Sequence, residues 1–183
     1  LAIGRAGNVI GGGDWAKDRI VVDCIKAWSK GKIAEIRTPK ATRPWQHVLE
    51  PLSGYLNLGA ELSVNDNLMG EAFNFGPDEE QNATVEELIV ELSKYWGFKD
   101  KNSAYKITNN IFFHEAKLLK LNCDKAFSHL RWKTNLTYKD TVKFTSEWYY
   151  DFYKKNDKIF DKTLEQITEY ENMAKEKSLK WTE

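Results

Sequence analysis

Cysteine is scarce in this sequence, and patterns of metal-binding residues are missing. The 183 residues include two cysteines, Cys24 and Cys123, which lie far apart and have no metal-ligand spacing around them. This usage argues against a disulfide framework or a zinc ribbon, and we interpret both residues as reduced thiols of a cytoplasmic protein. The sequence also lacks a cluster of His, Cys, Asp and Glu at metal spacing, a Gly-x-Ser-x-Gly elbow and a Cys/His nucleophile pattern.

The sequence has no excess of charge and no long apolar run. Lys and Arg number 27, as do Asp and Glu, so the formal net charge is zero and no uniform basic field favours nucleic acid. No apolar stretch approaches the ~20 residues that a helix needs to cross a bilayer. The first ten residues are too short and too rich in glycine for a signal peptide. We therefore expect one domain that binds neither nucleic acid nor membrane.

Short apolar strands alternate with amphipathic helices along the chain. Hydrophobic spacing predicts strands at residues 2–9, 34–37, 46–48 and 72–75, and helices at residues 18–30, 50–62, 84–96, 137–153 and 161–177. Thr84 and Glu87 form a capping-box pattern at the start of the third helix, and Gly97 ends it. The alternation predicts an α/β fold, although the strands are too few for a complete doubly wound sheet. The sequence does not begin with Met, and its first residues have the composition of a buried strand. We therefore expect it to be a piece of a longer protein.

A glycine-rich run from Gly7 to Gly13 follows the first predicted strand. Glycine lets a backbone approach a ligand closely, and consecutive backbone amides can hold a phosphate. The run is not a P-loop, because Gly-Lys-Ser/Thr does not follow it, and it has no Gly-x-Gly-x-x-Gly turn between a strand and a helix. Spacing alone therefore favours a flexible loop over a phosphate-binding one.

Arg43 lies between a predicted loop and a predicted short strand, next to Pro44 and Trp45. A guanidinium group presents a planar fork of donors that matches phosphate oxygens. A single arginine in a loop is more often a solvated surface residue. The indole of Trp45 is better explained as part of the core than as a platform for a ligand.

Two runs of residues, from Arg5 to Trp15 and from Thr42 to Pro51, resemble the extended short-chain dehydrogenase/reductase family, and within it the CDP-glucose 4,6-dehydratases. Arg-x-Trp-x-x-Val, which begins at Arg43, is similar to the family's Arg-Asp-Trp-x-x-Val, with Pro in place of Asp. Leu-Arg-Trp at residues 130–132 is similar to the family's Leu-Gly-Trp. The resemblance implies the edge of a Rossmann sheet plus a small mixed α/β substrate domain. All of residues 1–183 would form the nucleotide-sugar-binding portion, with the N-terminal dinucleotide-binding domain absent.

The same resemblance implies residues that bind the diphosphate and the base. Asn8, after the first strand, and Arg43 would bind the substrate's diphosphate, together with Arg19 at the start of the next helix. Arg37 follows a strand that faces the base in related proteins. For Arg19 and Arg37, a simple surface charge is an equally good interpretation.

Three further residues are implied to lie near the substrate. Asn74 ends a strand that resembles the family's aromatic-Asn-apolar-Gly pattern, although its amide could equally tie down the following turn. His114 and Glu115 begin a stretch that resembles the second substrate loop, and they would lie near the nucleoside. His47 and His129 are interpreted as structural.

The CDP-glucose 4,6-dehydratases of this family convert CDP-D-glucose to CDP-4-keto-6-deoxy-D-glucose with bound NAD and a Tyr-x-x-x-Lys pair. In this sequence Tyr150 and Lys154 have the Tyr-x-x-x-Lys spacing, but they follow the substrate motifs, which is the wrong place for the family. We therefore assign no catalytic residue. The resemblance implies NAD held mainly by the absent half, CDP-glucose or a related nucleotide-sugar as ligand, and a homodimer at full length. A non-catalytic nucleotide-sugar-binding module, and an epimerase or another dehydratase of the family, remain as alternatives.

Overall fold

The computed structural model describes residues 1–78, 81–108, 121–155 and 158–182. The helices are α1 (Ile20–Ser29), α2 (Leu49–Leu62), α3 (Val85–Trp96), α4 (Lys101–Ala104), α5 (Asp124–Leu130), α6 (Tyr138–Tyr150) and α7 (Ile159–Glu176). The strands are β1 (Ile3–Ala6), β2 (Val9–Ile10), β3 (Ala34–Ile36), β4 (Thr42–Arg43), β5 (Gln46–His47), β6 (Ala72–Phe75), β7 (Ala83–Thr84) and β8 (Tyr105–Ile107). These elements confirm the predicted α/β fold.

The described strands pair with partners that are distant in sequence. β1 pairs with β6, β2 with β5 and β3 with β8, each in parallel, whereas β4 and β7 are antiparallel. Parallel neighbours need a crossover connection, and the helices between them supply it. The parallel pairing of β2 with β5 carries the glycine-rich run and the start of α2 to the same end of this pair.

The largest apolar cluster lies between α1, α3, α6 and β3. The side chains of α1 that sequence spacing placed on one face are almost all buried, with Cys24 fully inaccessible and Trp28 2% exposed. The Trp28 indole donates to the carbonyl of Ala104 at 2.7 Å, which ties α1 to the start of β8. α3 begins with the predicted capping box at Thr84 and ends at Gly97, whose φ of 95° is the left-handed conformation that glycine tolerates.

A second apolar cluster joins α2, β6 and α5. Phe73 and Phe75 project from β6 and are fully buried, and Trp132 meets Phe75 edge to face at 5.0 Å between ring centroids. Arg131 caps α5 with φ 52°, so this residue takes the left-handed conformation that favours glycine. The family's Leu-Gly-Trp motif has glycine at this position, and the left-handed conformation gives a physical reason for it.

A buried carboxylate connects α2 to the segments before α6 and to α7. Glu50 is 1% exposed, and it accepts hydrogen bonds from the backbone N–H groups of Asn135 (3.0 Å) and Leu136 (2.5 Å) and from the Tyr170 hydroxyl (3.3 Å). Burial raises the pKa of Glu50 to about 7, against the opposing effect of these donors. The donors satisfy a charge that would otherwise be costly to bury.

Two predicted elements differ from their predictions. β1 is shorter than residues 2–9 and is not buried, since Ile3 is 53% exposed. Along β1, one edge pairs with β6, and the ring of Tyr55 covers Gly4 on one face, so the side chain of Ile3 on the other face meets solvent. The predicted helix at residues 137–153 ends as α6 at Tyr150 and continues as a π-helical turn over Asp151–Lys155.

Candidate nucleotide-sugar site

A cavity of about 260 Å³ lies between the glycine-rich run, the start of α1, the end of β3 and the turn around β4. Four of the predicted site residues line it, namely Asn8, Arg19, Arg37 and Arg43. These residues are separated by up to 35 positions in sequence, so the fold brings them together. Their role as ligand-binding residues stays a prediction, but their placement on one cavity meets the geometric condition for it.

Asn8 reaches the cavity because it lies in the link between β1 and β2. Its backbone carbonyl accepts a hydrogen bond from the Gln46 N–H at 3.1 Å, and the next residue, Val9, pairs with Gln46 in the β2–β5 ladder. Asn8 is partly buried. The ladder therefore fixes the backbone on which this amide side chain is presented.

Arg19 is the residue immediately before α1, and it lines the cavity. Arg19 is exposed and has extended backbone angles (φ −106°, ψ 114°), and no side chain caps this helix end. Ile20 and Val21 of the first turn also line the cavity. Unpaired N–H groups and the helix dipole favour an anion at such an end.

Arg43 is the buried cation of the cavity. It is 6% exposed, its backbone is held by pairing with Ala83 in the antiparallel β4–β7 ladder, and its guanidinium donates to the Thr42 carbonyl at 2.8 Å. Trp45 lies beside it, 4% exposed, with its indole N–H donating to the Ala83 carbonyl at 3.0 Å. Trp45 is thus part of the core, as predicted, and its ring also contributes to the cavity wall.

Sequence reasoning missed the acidic residues and the tyrosine of the cavity. Asp14, Asp18, Asp23 and Glu35 line it, as does Tyr149 from α6. The Tyr149 hydroxyl donates to the Asp14 carbonyl at 2.7 Å, and burial raises the pKa of this phenol above its usual value. No local pattern marks these residues, because they come from four separate segments. The cavity consequently carries charges of both signs.

The glycine-rich run is shaped by internal packing. A Cβ atom on Gly12 would lie 2.0 Å from Cδ2 of Trp148, and one on Gly11 would lie 2.9 Å from Cγ1 of Val48. Trp148 is held in turn by a hydrogen bond from its indole N–H to the Thr163 hydroxyl at 2.9 Å. The close approach that requires glycine at position 12 is therefore to an indole ring of this chain, whereas spacing had favoured a flexible loop.

Three predicted site residues remain, together with His47, which was predicted to be structural. Asn74 is not among the residues that line the cavity, and its amide donates at 2.9 Å to the carbonyl of Asn122, which is distant in sequence and not part of the following turn. His114 and Glu115 lie outside the described residues. His47 is 3% exposed and packs edge to face on Phe144, and burial lowers its pKa to about 4, which agrees with a structural role.

Residues 1–78, 81–108, 121–155 and 158–182 contain neither a candidate metal site nor a candidate membrane-spanning helix. No group of three or more His, Cys, Asp and Glu side chains there could hold a metal ion. None of the helices in that part of the chain has the length and apolar character to cross a membrane.

The sequence has a close relative of known activity. It is 40% identical over 149 residues to the CDP-glucose 4,6-dehydratase of Salmonella typhimurium strain LT2, and the match covers 81% of the chain and 41% of that enzyme. The chain is therefore similar to a CDP-glucose 4,6-dehydratase over most of its own length. It spans less than half of the length of this relative, and no protein-family model matches it.

Solved structures of NAD-dependent epimerases and dehydratases share the fold. The UDP-glucuronic acid 4-epimerase of Bacillus cereus, in complex with UDP-glucuronic acid and NAD, superposes with a TM-score of 0.68 at 20% identity, over 82% of this chain and 45% of that one. The dTDP-glucose 4,6-dehydratase of Bacillus anthracis, in complex with NAD, gives 0.65 at 15% identity, over 82% and 44%. This is the fold of the C-terminal part of an extended short-chain dehydrogenase/reductase, as the sequence predicted.

Proposed function

We propose that this chain forms the nucleotide-sugar-binding part of a CDP-glucose 4,6-dehydratase. Such an enzyme converts CDP-D-glucose to CDP-4-keto-6-deoxy-D-glucose with NAD. One observation carries the proposal: Asn8, Arg19, Arg37 and Arg43 line a single cavity. The 40% identity to a dehydratase supports this activity over that of an epimerase, because the epimerase structures resemble the chain only in fold.

Arg43 is the central residue of the proposed diphosphate site. Its guanidinium is a planar fork of donors, and a diphosphate offers oxygens in the bidentate geometry that such a fork prefers. Asn8 adds an amide donor, while Arg19 and the first turn of α1 add positive potential at the same cavity. A binding role needs only donors in fixed positions, which these elements provide.

The proposal assigns substrate binding to this chain and leaves the chemistry to other residues. NAD, when bound, supplies hydride transfer, and the chain has no Gly-x-x-Gly-x-x-Gly fingerprint with which to hold the dinucleotide. Tyr150 and Lys154 do not line the cavity. Both lie against the ring of Trp96, with Lys154 Nζ 5.4 Å from its centroid. We further propose a cytoplasmic location, NAD as cofactor and a homodimer for the full-length enzyme.

Titration calorimetry of the chain with CDP and with CDP-glucose tests the proposal. Arg43→Ala should lower the affinity for both ligands about ten- to hundredfold, because a charge-assisted hydrogen bond contributes roughly 1.5–3 kcal/mol. Arg43→Lys should recover part of the loss, since a point charge cannot replace a bidentate fork. Arg5→Ala is the matched control, because Arg5 is exposed on β1 and does not line the cavity.

Circular dichroism spectra separate loss of binding from loss of folding. The proposal requires that Arg43→Lys keeps the wild-type spectrum while its affinity falls. If Arg43→Lys and Arg43→Ala both fold and keep the wild-type affinity, Arg43 is not part of the site. The same conclusion follows if Arg5→Ala loses as much affinity as the Arg43 variants. Absence of binding by the wild-type chain at millimolar CDP would contradict the assignment of the cavity.

A further inference from the structure

The carboxylates of the cavity have no role in binding a diphosphate. Asp18, Asp23 and Glu35 line the same cavity as the three arginines, and negative groups repel phosphate. These carboxylates suit a part of a ligand that donates hydrogen bonds. A nucleotide offers such donors on its base and on its sugar.

The acidic end of the cavity is formed by α1 and β3. Asp23 lies in the first turn of α1, which packs against β3. Glu35 is in β3 and Arg37 follows its last residue, so by the alternation of an extended chain these two side chains leave the same face. Arg37, Asp23 and Glu35 thus all belong to the part of the cavity wall that α1, β3 and the residue after β3 form.

The charges around Asp23 show which groups are its neighbours. Burial is the main cause that raises the pKa of this carboxyl group, followed by the negative charge of Asp18, while Lys26 and Arg37 act in the opposite sense. Lys26 donates to the Trp15 carbonyl at 2.8 Å. Asp18 is held with φ 60°, a strained conformation that asparagine and aspartate tolerate better than most residues.

Glu35 is engaged more directly than Asp23. Its carboxylate lies 2.9 Å from the ammonium group of Lys106, its register partner in β8. Asp23 is an exposed residue at the cavity wall whose carboxylate is desolvated only in part, and the positive charges acting on it are Lys26 and Arg37. A donor from the ligand would compensate the desolvation of the Asp23 carboxylate.

Cytosine and uracil differ in the groups that such a site would meet. Cytosine presents an exocyclic amino donor beside two acceptors, N3 and O2, whereas uracil presents a carbonyl acceptor in place of the amino group. Carboxylates accept from the cytosine amino group in nucleic-acid recognition. A carboxylate facing the uracil carbonyl would be repulsive, and the donor–acceptor mismatch would leave both groups unpaired.

We propose that Asp23 selects the base: its carboxylate accepts from the exocyclic amino group of cytosine, and Arg37 donates to the neighbouring ring acceptors. This inference rests on the proposed function, since it assumes that the cavity binds a nucleotide. It names the residue that makes the chain prefer a cytidine nucleotide to a uridine nucleotide.

Affinities of the 183-residue chain for CDP and UDP, measured by titration calorimetry, test the inference. The wild-type chain should bind CDP at least tenfold more tightly than UDP. Asp23→Asn replaces one acceptor oxygen by an amide donor, which can face the uracil carbonyl. In this variant the ratio of the two affinities should fall to about one, through weaker CDP binding and equal or stronger UDP binding.

Asp161→Asn is the matched control, because Asp161 is an exposed aspartate in the first turn of α7 and does not line the cavity. It should keep the wild-type ratio. If a folded Asp23→Asn chain also keeps the ratio, the role of Asp23 is refuted while nucleotide binding stands. If the wild-type chain binds neither nucleotide, the proposed function itself fails. Equal affinity of the wild-type chain for CDP and UDP would also overturn the inference.

Discussion

Replacement of Gly12 by alanine tests whether the glycine-rich run is fixed by packing inside this chain. The added Cβ would lie 2.0 Å from Cδ2 and 2.1 Å from Cγ of Trp148. An ordinary contact between carbon atoms is ~3.5–4 Å, so the ring or the loop has to move by roughly 1.5 Å. No flexible side-chain end is available to give way, because both clashing atoms belong to the rigid indole.

The cost follows from what holds Trp148 in place. Its ring is 9% exposed and stacks on Phe152 with 7° between the ring planes, and its N–H donates to Thr163 at 2.9 Å. Overpacking of a core costs about 1–3 kcal/mol, and loss of the hydrogen bond adds about 1 kcal/mol. We expect Gly12→Ala to lower the free energy of unfolding by about 3 kcal/mol.

Urea denaturation followed by circular dichroism measures this change. Gly59→Ala is the matched control, since Gly59 is exposed in α2 and a Cβ there would meet nothing within 4 Å. Because alanine is the better helix former, this control should gain about 0.5–1 kcal/mol. In a Trp148→Ala background, the cost of Gly12→Ala should largely disappear.

Two results would refute this reasoning. One is a cost below ~0.5 kcal/mol for Gly12→Ala in the wild-type background, within the range of neutral surface substitutions. The other is an equal cost with and without the Trp148 ring, which would show that the two residues are not coupled. In either case the glycine would be explained by the ligand or by backbone freedom instead.

Two further predictions concern His47 and Thr84. The folded-state pKa of His47 is lowered from 6.5 to about 4 by burial, so the unfolded chain binds the proton first, and the free energy of unfolding should fall by ~3 kcal/mol as the pH drops from 7 to 4. Urea titrations at pH 7 and pH 4 measure this change, and His47→Asn should remove it. An equal change in the free energy of unfolding between the two pH values for wild type and variant would contradict the prediction. Thr84→Ala removes the N-cap of α3, whose hydroxyl accepts from the Glu87 N–H at 3.1 Å, and should cost ~1 kcal/mol in the same assay. A loss below a few tenths of a kcal/mol would show that the cap contributes nothing.

Elements whose signals are local could be predicted from the sequence. The strand Ala72–Phe75 has the predicted bounds, and α3 begins and ends where the capping box and Gly97 placed it. The short helix α4 and the bounds of β1 could not be read in this way. Neither has a distinctive apolar period, and the length of β1 depends on where its pairing with β6 ends.

The candidate site was only partly accessible to sequence reasoning. Asn8, Arg19, Arg37 and Arg43 were singled out because their runs resemble a family, and the fold places them on one cavity. Asp23 carried no such signal, because it lies on a helix whose other features are explained by an amphipathic pattern. For Asn74 the motif allowed two interpretations, and the hydrogen bond to Asn122 is a contact that neither of them named.

The sequence by itself determined the fold class, the capping box of α3 and the apolar faces of the helices, because these depend on local spacing and on short motifs. Only the tertiary structure decided which charges share a cavity, since these residues come from separate elements of the chain. It also decided which side of Gly12 is occupied, since that depends on Trp148, which is more than 100 positions away. Burial in that structure also set the pKa values of His47 and Glu50, because desolvation comes from the whole surrounding fold.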